Sequence, residues 1–137
     1  KLHFMDAGLA AALRGEHRGS FGLGSDPADL GALFETFVFT ELEKSLPFQE
    51  TRWRLWHWRS EDRRIDVLAE APSGDLALFR TRATSKVGPD DFRHIDWFMS
   101  EGPGNGRRCS GFVVYFGEHV LSFGPGKTAL PISSLWS

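Results

Sequence analysis

The sequence predicts one α/β domain in which helices flank a mixed sheet, with core elements in the order helix, three strands, helix, strand. Three observations predict this class. A long apolar stripe at helical spacing is followed by three short runs rich in aromatic and β-branched residues. A second amphipathic segment comes next, and then a continuous apolar run typical of a buried strand. The chain has 137 residues, 41% of them hydrophobic, which favours one core over two.

The segment before the first core helix is interpreted on its own. The chain opens at Lys1 without an initiator methionine, so we expect a piece of a longer protein. Residues 2–5 are predicted to form a short strand and residues 9–13 a short apolar helix, followed by a loop. No secretion signal and no apolar run long enough for a bilayer is present, so we expect a cytoplasmic protein with no membrane partner.

The first core helix has the clearest signal. Asp26 suits the N-cap, Pro27 the first helical position, and Asp29 the positive end of the helix dipole. Pro47 ends the helix. Its apolar stripe consists of Leu30, Leu33, Phe34, Phe37, Val38 and Leu42.

Three strands are predicted next, at residues 53–59, 64–70 and 76–83. A second helix begins at Pro89 and ends before the glycine-rich loop at residues 102–106. Residues 111–116 are predicted to form a buried strand, with residues 119–123 as its return strand.

The segment Gly124-Pro125-Gly126-Lys127-Thr128 resembles the end of a phosphate-binding loop, but the first glycine of that motif would have to be at position 121, which is Leu121. Pro131 also leaves no room for the helix that such a loop needs. We therefore predict a glycine turn in a terminal hairpin.

The second and third strands have the layout of a metal-dependent nuclease core. Asp66 lies where the metal-binding aspartate is needed, and alternation predicts that Leu68 and Glu70 share its face while Ile65 lies on the other. The third strand should then supply an acid followed by a lysine. Those two positions are occupied by arginines, at Arg80 and Arg82.

Guanidinium groups change what this site can do. Arginine offers five donors and no acceptor, so Arg80 cannot replace an oxygen ligand of magnesium. Arg82 stays protonated and cannot tune a water molecule as lysine does. We expect a direct ion pair between Asp66 and at least one of the two arginines, in the place of a metal. Glu35 and Glu41, on the first helix, are expected near this relic site.

Several separate stretches, in order along the chain, carry a resemblance to a known family. They are residues 1–9, residues 33–38 with Glu41-Leu42, Trp58-Arg59, Ile65-Asp66, residues 112–115 and residues 129–132. On these stretches the whole chain resembles the C-terminal domain of unknown function of prokaryotic AAA+ ATPases, which has the PD-(D/E)xK, restriction-endonuclease-like fold. Where that family usually has a Glu-x-Lys pair, this sequence has Arg80-Thr81-Arg82.

The resemblance implies an arrangement of the longer protein. Residues 1–15 would be the remnant of a winged-helix linker, and residues 16–137 the nuclease-like domain. An ATPase domain upstream in the same chain would be the partner and would bind ATP and magnesium, whereas the fragment itself would bind no cofactor. The fragment could then belong to a homo-oligomer through the ATPase.

Other residues were weighed as sites. Glu41 falls within the apolar stripe and should therefore have a partner. Arg52, Arg54 and Arg59 alternate with tryptophans and form a candidate nucleic-acid-binding strand, although a net charge of −2 argues against a general nucleic-acid coat. The tryptophans equally suit the inward face of a half-buried strand. The single cysteine, Cys109, permits no internal disulfide and has no evident catalytic partner.

The sequence thus predicts a catalytically degenerate nuclease-like accessory domain of an ATPase, for DNA or partner recognition. One alternative is an active metal-dependent DNA nuclease whose missing ligand has moved to Glu70, with Glu41 and Asp66 completing the metal site. The other is a module used only for protein–protein assembly. Nucleic-acid binding that weakens with salt separates this last alternative from the other two.

Overall fold

The computed structural model describes residues 27–136, which form two α-helices and six strands. Helix α1 is Pro27–Ser45 and helix α2 is Arg93–Ser100. The strands are β1 Arg54–Arg59, β2 Arg64–Glu70, β3 Leu76–Arg82, β4 Cys109–Tyr115, β5 Leu121–Ser122 and β6 Lys127–Pro131. Short 3₁₀ turns, Leu46–Phe48, Pro89–Phe92 and Ile132–Trp136, extend α1, lead into α2 and follow β6.

All six strands belong to one mixed sheet in the order β1-β2-β3-β4-β6-β5. The first three strands form an antiparallel meander, and β4 then pairs in parallel with both β3 and β6. A parallel neighbour needs a crossover connection, which α2 supplies between β3 and β4. The α/β class and the element order predicted from the sequence are therefore confirmed.

A hydrophobic core lies on each face of the sheet. The larger one packs beneath α2 and includes Ile95, Phe98, Leu78 and Val113. The other lies beneath α1, where Phe34, Phe37 and Val38 meet Val114 of β4. Because β4 contributes adjacent residues to opposite cores, it is buried on both faces, as its apolar sequence predicts.

The individual elements agree closely with the sequence predictions. The first helix ends at Ser45 and Pro47 lies in the 3₁₀ turn that follows it. The second strand has the predicted bounds, and the first, third and fourth differ from prediction by one or two residues at an end. The N-cap at Asp26, the elements predicted within residues 1–24 and the linker assigned to residues 1–15 lie outside the described residues.

The predicted pairing of the strand after β4 was wrong. The strand after β4 was expected to return against it, but β5 is a two-residue edge strand that pairs with β6 instead. The place beside β4 is taken by β6, which pairs with it in parallel. The glycine turn of a terminal hairpin is confirmed: it connects β5 to β6, and its Lys127 N–H donates to the Gly124 carbonyl over 3.1 Å.

The prediction that successive side chains of β2 alternate strictly between the two faces of the sheet was also wrong. Trp56 pairs with Leu68, whereas Trp58 pairs with Ile65, so β2 contains one extra residue between these two pairs. This is the geometry of a β-bulge. Ile65 and Leu68 consequently pack into the same core beneath α2, although they are three residues apart. The bulge contains Asp66, and it therefore sets the direction of the carboxylate that the sequence singles out.

Candidate functional site

The carboxylate of Asp66 is 1% exposed and is the centre of the candidate site. Its Oδ2 accepts the backbone N–H of Thr81 over 2.8 Å and the Thr81 hydroxyl over 3.2 Å. Its Oδ1 lies 3.1 Å from Nε of Arg64 and 3.3 Å from Nη1 of Arg80. The Thr81 N–H lies just beyond the last β2–β3 backbone pair, Val67 with Phe79, so the side chain of Asp66 continues the ladder there.

Arg80 fills the position on β3 where an acidic metal ligand was sought. Its side chain is 14% exposed, and Nη1 also donates to the carbonyl of Arg64 over 3.4 Å. Burial lowers the pKa of Arg80, and the neighbouring Asp66 opposes that effect. Nε of Arg80 is buried and has no acceptor among the described residues. The predicted ion pair between Asp66 and Arg80 is therefore present.

Arg82 does not join this cluster. Its Nε lies 2.8 Å from Oδ1 of Asp91, and its side chain is 47% exposed. Asp91 also accepts the N–H of Gly88 and so stabilises the turn that precedes α2. Of the two arginines in the Arg80-Thr81-Arg82 segment, the structure thus brings only Arg80 to Asp66.

Helix α1 reaches the cluster through Glu35. Its carboxylate lies 3.5 Å from Nη2 of Arg64 and 3.8 Å from Nδ1 of His57. The His57 ring stacks on Phe39, with centroids 4.5 Å apart, and its Nδ1 donates to the Asp66 carbonyl over 2.7 Å. Because a carbonyl only accepts, this bond places the proton on Nδ1. Glu35 is therefore near the relic site, as expected.

Glu41 and Glu70 pair with residues outside the Asp66 cluster. Glu41 is 1% exposed and pairs with Lys44 one turn later, over 3.1 Å, which supplies the partner that its burial requires. Its other oxygen, Oε1, has no partner among residues 27–136. Glu70 pairs with Arg107 beside the β2–β3 turn. Four residues of strand separate it from Asp66, which corresponds to about 13 Å.

The groups around Asp66 disfavour a metal ligand role in this arrangement. A carboxylate accepts about four hydrogen bonds; Asp66 accepts three, from Arg80, the Thr81 N–H and the Thr81 hydroxyl, and forms an ion pair with Arg64 as well. A divalent ion would have to displace at least one guanidinium and would then lie beside two positive charges. Within the described part of the chain, no cluster of three or more His, Cys, Asp or Glu residues has the arrangement of a metal site. Glu41, Asp66 and Glu70 are therefore not brought together as metal ligands.

The tryptophans and the arginines of the candidate nucleic-acid-binding strand differ in burial. Trp56 and Trp58 pack against the core beneath α2, so their rings are not free for base stacking. Arg52, Arg54 and Arg59 are exposed, and the guanidinium of Arg54 lies 5.7 Å from the Trp56 ring centroid. The arginines are thus available to phosphates, while the tryptophans have the structural role that the sequence also allowed.

A surface pocket of about 280 Å³ opens beside Arg80, at the end of the sheet where β1 turns into β2. Four of its lining residues are arginines; the full lining is Arg59, Ser60, Glu61, Asp62, Arg63, Arg64, Arg80 and His94. Burial lowers the pKa of His94, and the positive charges of Arg80, Arg93, Arg63 and Arg64 lower it further.

Sequence reasoning did not assign Arg64, His57, Thr81 or His94 to the site. Arg64 precedes Asp66 by two residues on β2, and this spacing is a signal that could have identified it. Thr81 and His57 act through a backbone N–H and a ring nitrogen whose partners depend on strand register. His94 comes from α2, and its Nδ1 accepts the backbone N–H of Arg64 over 3.3 Å. No local motif predicts that long-range contact.

With this geometry established, comparison with known families gives one result. Residues 30–135 match the model of a family described as a domain of unknown function, DUF4143. The chain belongs to the DUF4143 family. The match covers α1 from residue 30 onward, α2 and all six strands, including the Asp66 cluster and the arginine-lined pocket. Its description names no activity, ligand or partner.

Comparisons with curated proteins and with solved structures each give no match to this DUF4143 domain. The helices described here include none that is long and apolar enough to cross a bilayer. What the domain does must therefore be inferred from its own site.

Proposed function

We propose that this DUF4143 domain is a catalytically degenerate, nuclease-like recognition domain that binds DNA without cutting it and serves as an accessory to an AAA+ ATPase. The observation that carries the proposal is the closed coordination of Asp66. Three hydrogen bonds and an ion pair with Arg64 occupy a carboxylate that a metal-dependent nuclease would need open. Arg80 supplies a fixed positive charge at the position of a missing ligand.

The DNA part of the proposal is supported by where the cations lie. Arg54 and Arg59 of β1 and Arg52 just before it are exposed, and the pocket that Arg59 lines contains three more arginines. Arginines that are free of tight acidic partners are suited to phosphate groups, because the guanidinium fork matches two phosphate oxygens. The ATPase part is supported by the resemblance of the sequence alone.

The rival with relocated catalysis requires Glu70 to replace the missing acid. The distance along β2 works against it, since a shared magnesium ion requires oxygen ligands at about 2.0–2.1 Å. Glu70 is also occupied by Arg107, which holds the β2–β3 turn through the carbonyl of Gly74 as well. A substantial rearrangement of the strand would be needed to bring Glu70 to Asp66.

The proposal is tested by measuring cleavage and binding on the same protein. We expect no hydrolysis of single- or double-stranded DNA with magnesium or manganese, together with measurable binding in fluorescence anisotropy at low salt. Asp66→Ala is the control for adventitious nuclease, because a contaminant would not respond to it. Cleavage that disappears in Asp66→Ala would refute the degenerate site and support the rival.

Protein–protein assembly remains a second candidate on one observation. Phe48, after α1, is 78% exposed, and its neighbours in sequence Leu46 and Gln49 line an apolar pocket of about 260 Å³. The full lining is Leu42, Ser45, Leu46, Gln49, Trp53, Leu55, Ala69, Ala77, Phe79 and Phe112. Large exposed apolar side chains next to a groove are typical of contact surfaces. If DNA binding is absent at low salt while Phe48→Ser abolishes association with the ATPase part of the parent protein, assembly is the function.

A further inference from the structure

We propose that the pocket at the β1–β2 turn, lined by Arg59, Arg63, Arg64 and Arg80, binds the terminal phosphate monoester of a nucleic-acid strand. This inference rests on the proposed function, because it names the chemical group on the nucleic acid that the domain recognises. The proposed phosphate contacts the arginines of the pocket and requires neither the Asp66 carboxylate nor a metal ion.

Two arginines of the pocket, Arg59 and Arg64, are strand partners. Arg59 and Arg64 are directly opposite on β1 and β2, in the last pair of that ladder. Like charges directly opposite in an antiparallel pair are destabilising unless something of opposite charge lies between or beside them. Arg64 has such neighbours in Asp66 and Glu35. Arg59 forms no ion pair within the described residues, and the carboxylates of Glu61 and Asp62 that line the same pocket are exposed.

Arg63 lies on the turn between the two strands. Its guanidinium lies 4.7 Å from the centroid of the Trp97 ring, which holds the side chain against α2. Its acidic neighbour is Asp62, at 3.9 Å, whose side chain is 84% exposed and therefore well solvated. Arg63 is thus positioned by an aromatic ring while its hydrogen-bond donors stay available to a ligand.

The positive charges that are open in the pocket match the negative charge of a terminal phosphate. Asp66 and Glu35 offset the charges of Arg64 and Arg80, which leaves Arg59 and Arg63 as the two cations open to a ligand. A terminal phosphate monoester carries close to two negative charges near neutral pH, whereas an internal phosphodiester carries one. Planar guanidinium groups bind phosphate oxygens in pairs. Glu61 and Asp62 also line the pocket, but both are exposed, where solvent screens their repulsion.

The pocket also has a built inner wall. Arg80 is largely buried there, and its guanidinium is fixed by Asp66 and by the carbonyl of Arg64. His94 closes the α2 side and is itself held by the N–H of Arg64. Cations that are already ordered lose little side-chain freedom when a ligand binds. The volume of about 280 Å³ accommodates a phosphate group with the first nucleotide attached.

The test compares oligonucleotides that differ only at one end. A fluorescent 5′-phosphorylated ten-nucleotide strand, its 5′-hydroxyl counterpart and a 3′-phosphorylated strand are titrated against the domain by anisotropy. We expect at least one terminal phosphate to tighten binding about tenfold over the hydroxyl strand. The variant Arg59→Gln/Arg63→Gln should bring the phosphorylated and hydroxyl strands to within about twofold of each other.

A matched control separates the pocket from the general charge of β1. Arg54→Gln removes an exposed arginine from the same strand but outside the pocket, so the ratio between phosphorylated and hydroxyl strands should not change. Inorganic phosphate provides a second readout by NMR. It should shift the ring signals of His94 in the wild type, and should not do so in the Arg59→Gln/Arg63→Gln variant.

The outcomes distinguish this inference from the proposed function. Equal binding of phosphorylated and hydroxyl strands, with salt-dependent affinity for both, would overturn the terminal-phosphate inference and leave DNA recognition intact. Binding of inorganic phosphate or a phosphoserine peptide at least as tight as the phosphorylated strand would overturn the nucleic-acid source of the phosphate. Absence of binding to any strand would refute the proposed function itself.

Discussion

At residue 66 the chain buries a carboxylate that is surrounded by donors instead of metal. Taking a carboxylate and a guanidinium out of water costs several kcal/mol for each ion, and the interaction of the two offsets that cost only when the geometry is good and the remaining donors are satisfied. Asp66 meets this condition with three hydrogen bonds and the ion pair with Arg64, whereas Arg80 retains one unsatisfied nitrogen. The pair should therefore be strongly coupled even where its net contribution to stability is small.

This coupling predicts a specific result in chemical denaturation. Asp66→Ala and Arg80→Ala should each lower the free energy of unfolding by about 3–5 kcal/mol, because each leaves buried charge or donors without a partner. The double variant should be well short of additive. Arg82→Ala is the matched control: its pair with Asp91 is half exposed, and about 0–1 kcal/mol is expected. Additive effects of Asp66→Ala and Arg80→Ala would contradict a direct pair.

His94 predicts that the free energy of unfolding depends on pH. Its pKa is lowered by burial and by the nearby arginines, and its Nδ1 accepts an N–H that a protonated ring could not accept. A histidine with a lowered folded pKa contributes stability that is complete above its unfolded pKa, about 6.5, and is lost as pH falls toward the folded value. Unfolding followed from pH 7.5 to 5 should show this loss. The loss should be smaller in His94→Asn, and an unchanged profile would contradict the prediction.

Among the elements, α2 packs onto β4 through a glycine. A Cβ atom added to Gly111 would lie 2.5 Å from Cγ2 of Ile95, a fully buried residue of α2. Gly111→Ala should therefore displace the helix and lower the free energy of unfolding by about 1–3 kcal/mol. Gly31→Ala, within α1 and with open space around it, should instead raise it by about 0.5–1 kcal/mol. Thermal unfolding of the two variants measures both effects, and equal shifts would refute the packing argument.

The elements also show what the sequence could predict. Hydrophobic periodicity located both helices and four of the strands, because each has to bury one face or both faces against the core. It did not place β6 beside β4, since strand order is decided by contacts between distant segments. Nor did it detect the bulge in β2, where one extra residue changes which side chains face α2.

The bulge and the long-range contacts account for what was missed at the site. The sequence identified Asp66 and Arg80 because antiparallel neighbours joined by a short turn meet in a register that can be estimated by counting from the turn. Thr81 donates its N–H to the carboxylate at the end of the β2–β3 ladder, next to the bulge that contains Asp66, and strict alternation does not predict that contact. Glu70 was assigned to the face of Asp66 by alternation, yet it pairs with Arg107 at the other end of the strand.

On the scale of the whole molecule, charge is balanced but unevenly distributed. The chain carries 16 lysines and arginines against 18 acids, so its total charge does not attract DNA. Attraction has to come from a limited region, and the arginines of β1 and of the adjoining pocket are such a region. A small region of this kind neutralises few phosphates, in contrast to a protein that coats DNA over its whole surface.

The salt dependence of binding follows from the number of phosphates that the domain neutralises. Each phosphate neutralised on duplex DNA contributes about −0.9 to the slope of log K against log salt, and on a single strand about −0.7. With the exposed or part-exposed cations Arg52, Arg54, Arg59 and Arg63 as contacts, we expect a duplex slope of about −2 to −4 between 50 and 200 mM salt. Anisotropy titrations at four salt concentrations measure it, and Arg54→Gln should reduce the slope by about one unit. A slope near zero would remove the electrostatic basis for DNA recognition and would favour assembly through the surface around Phe48.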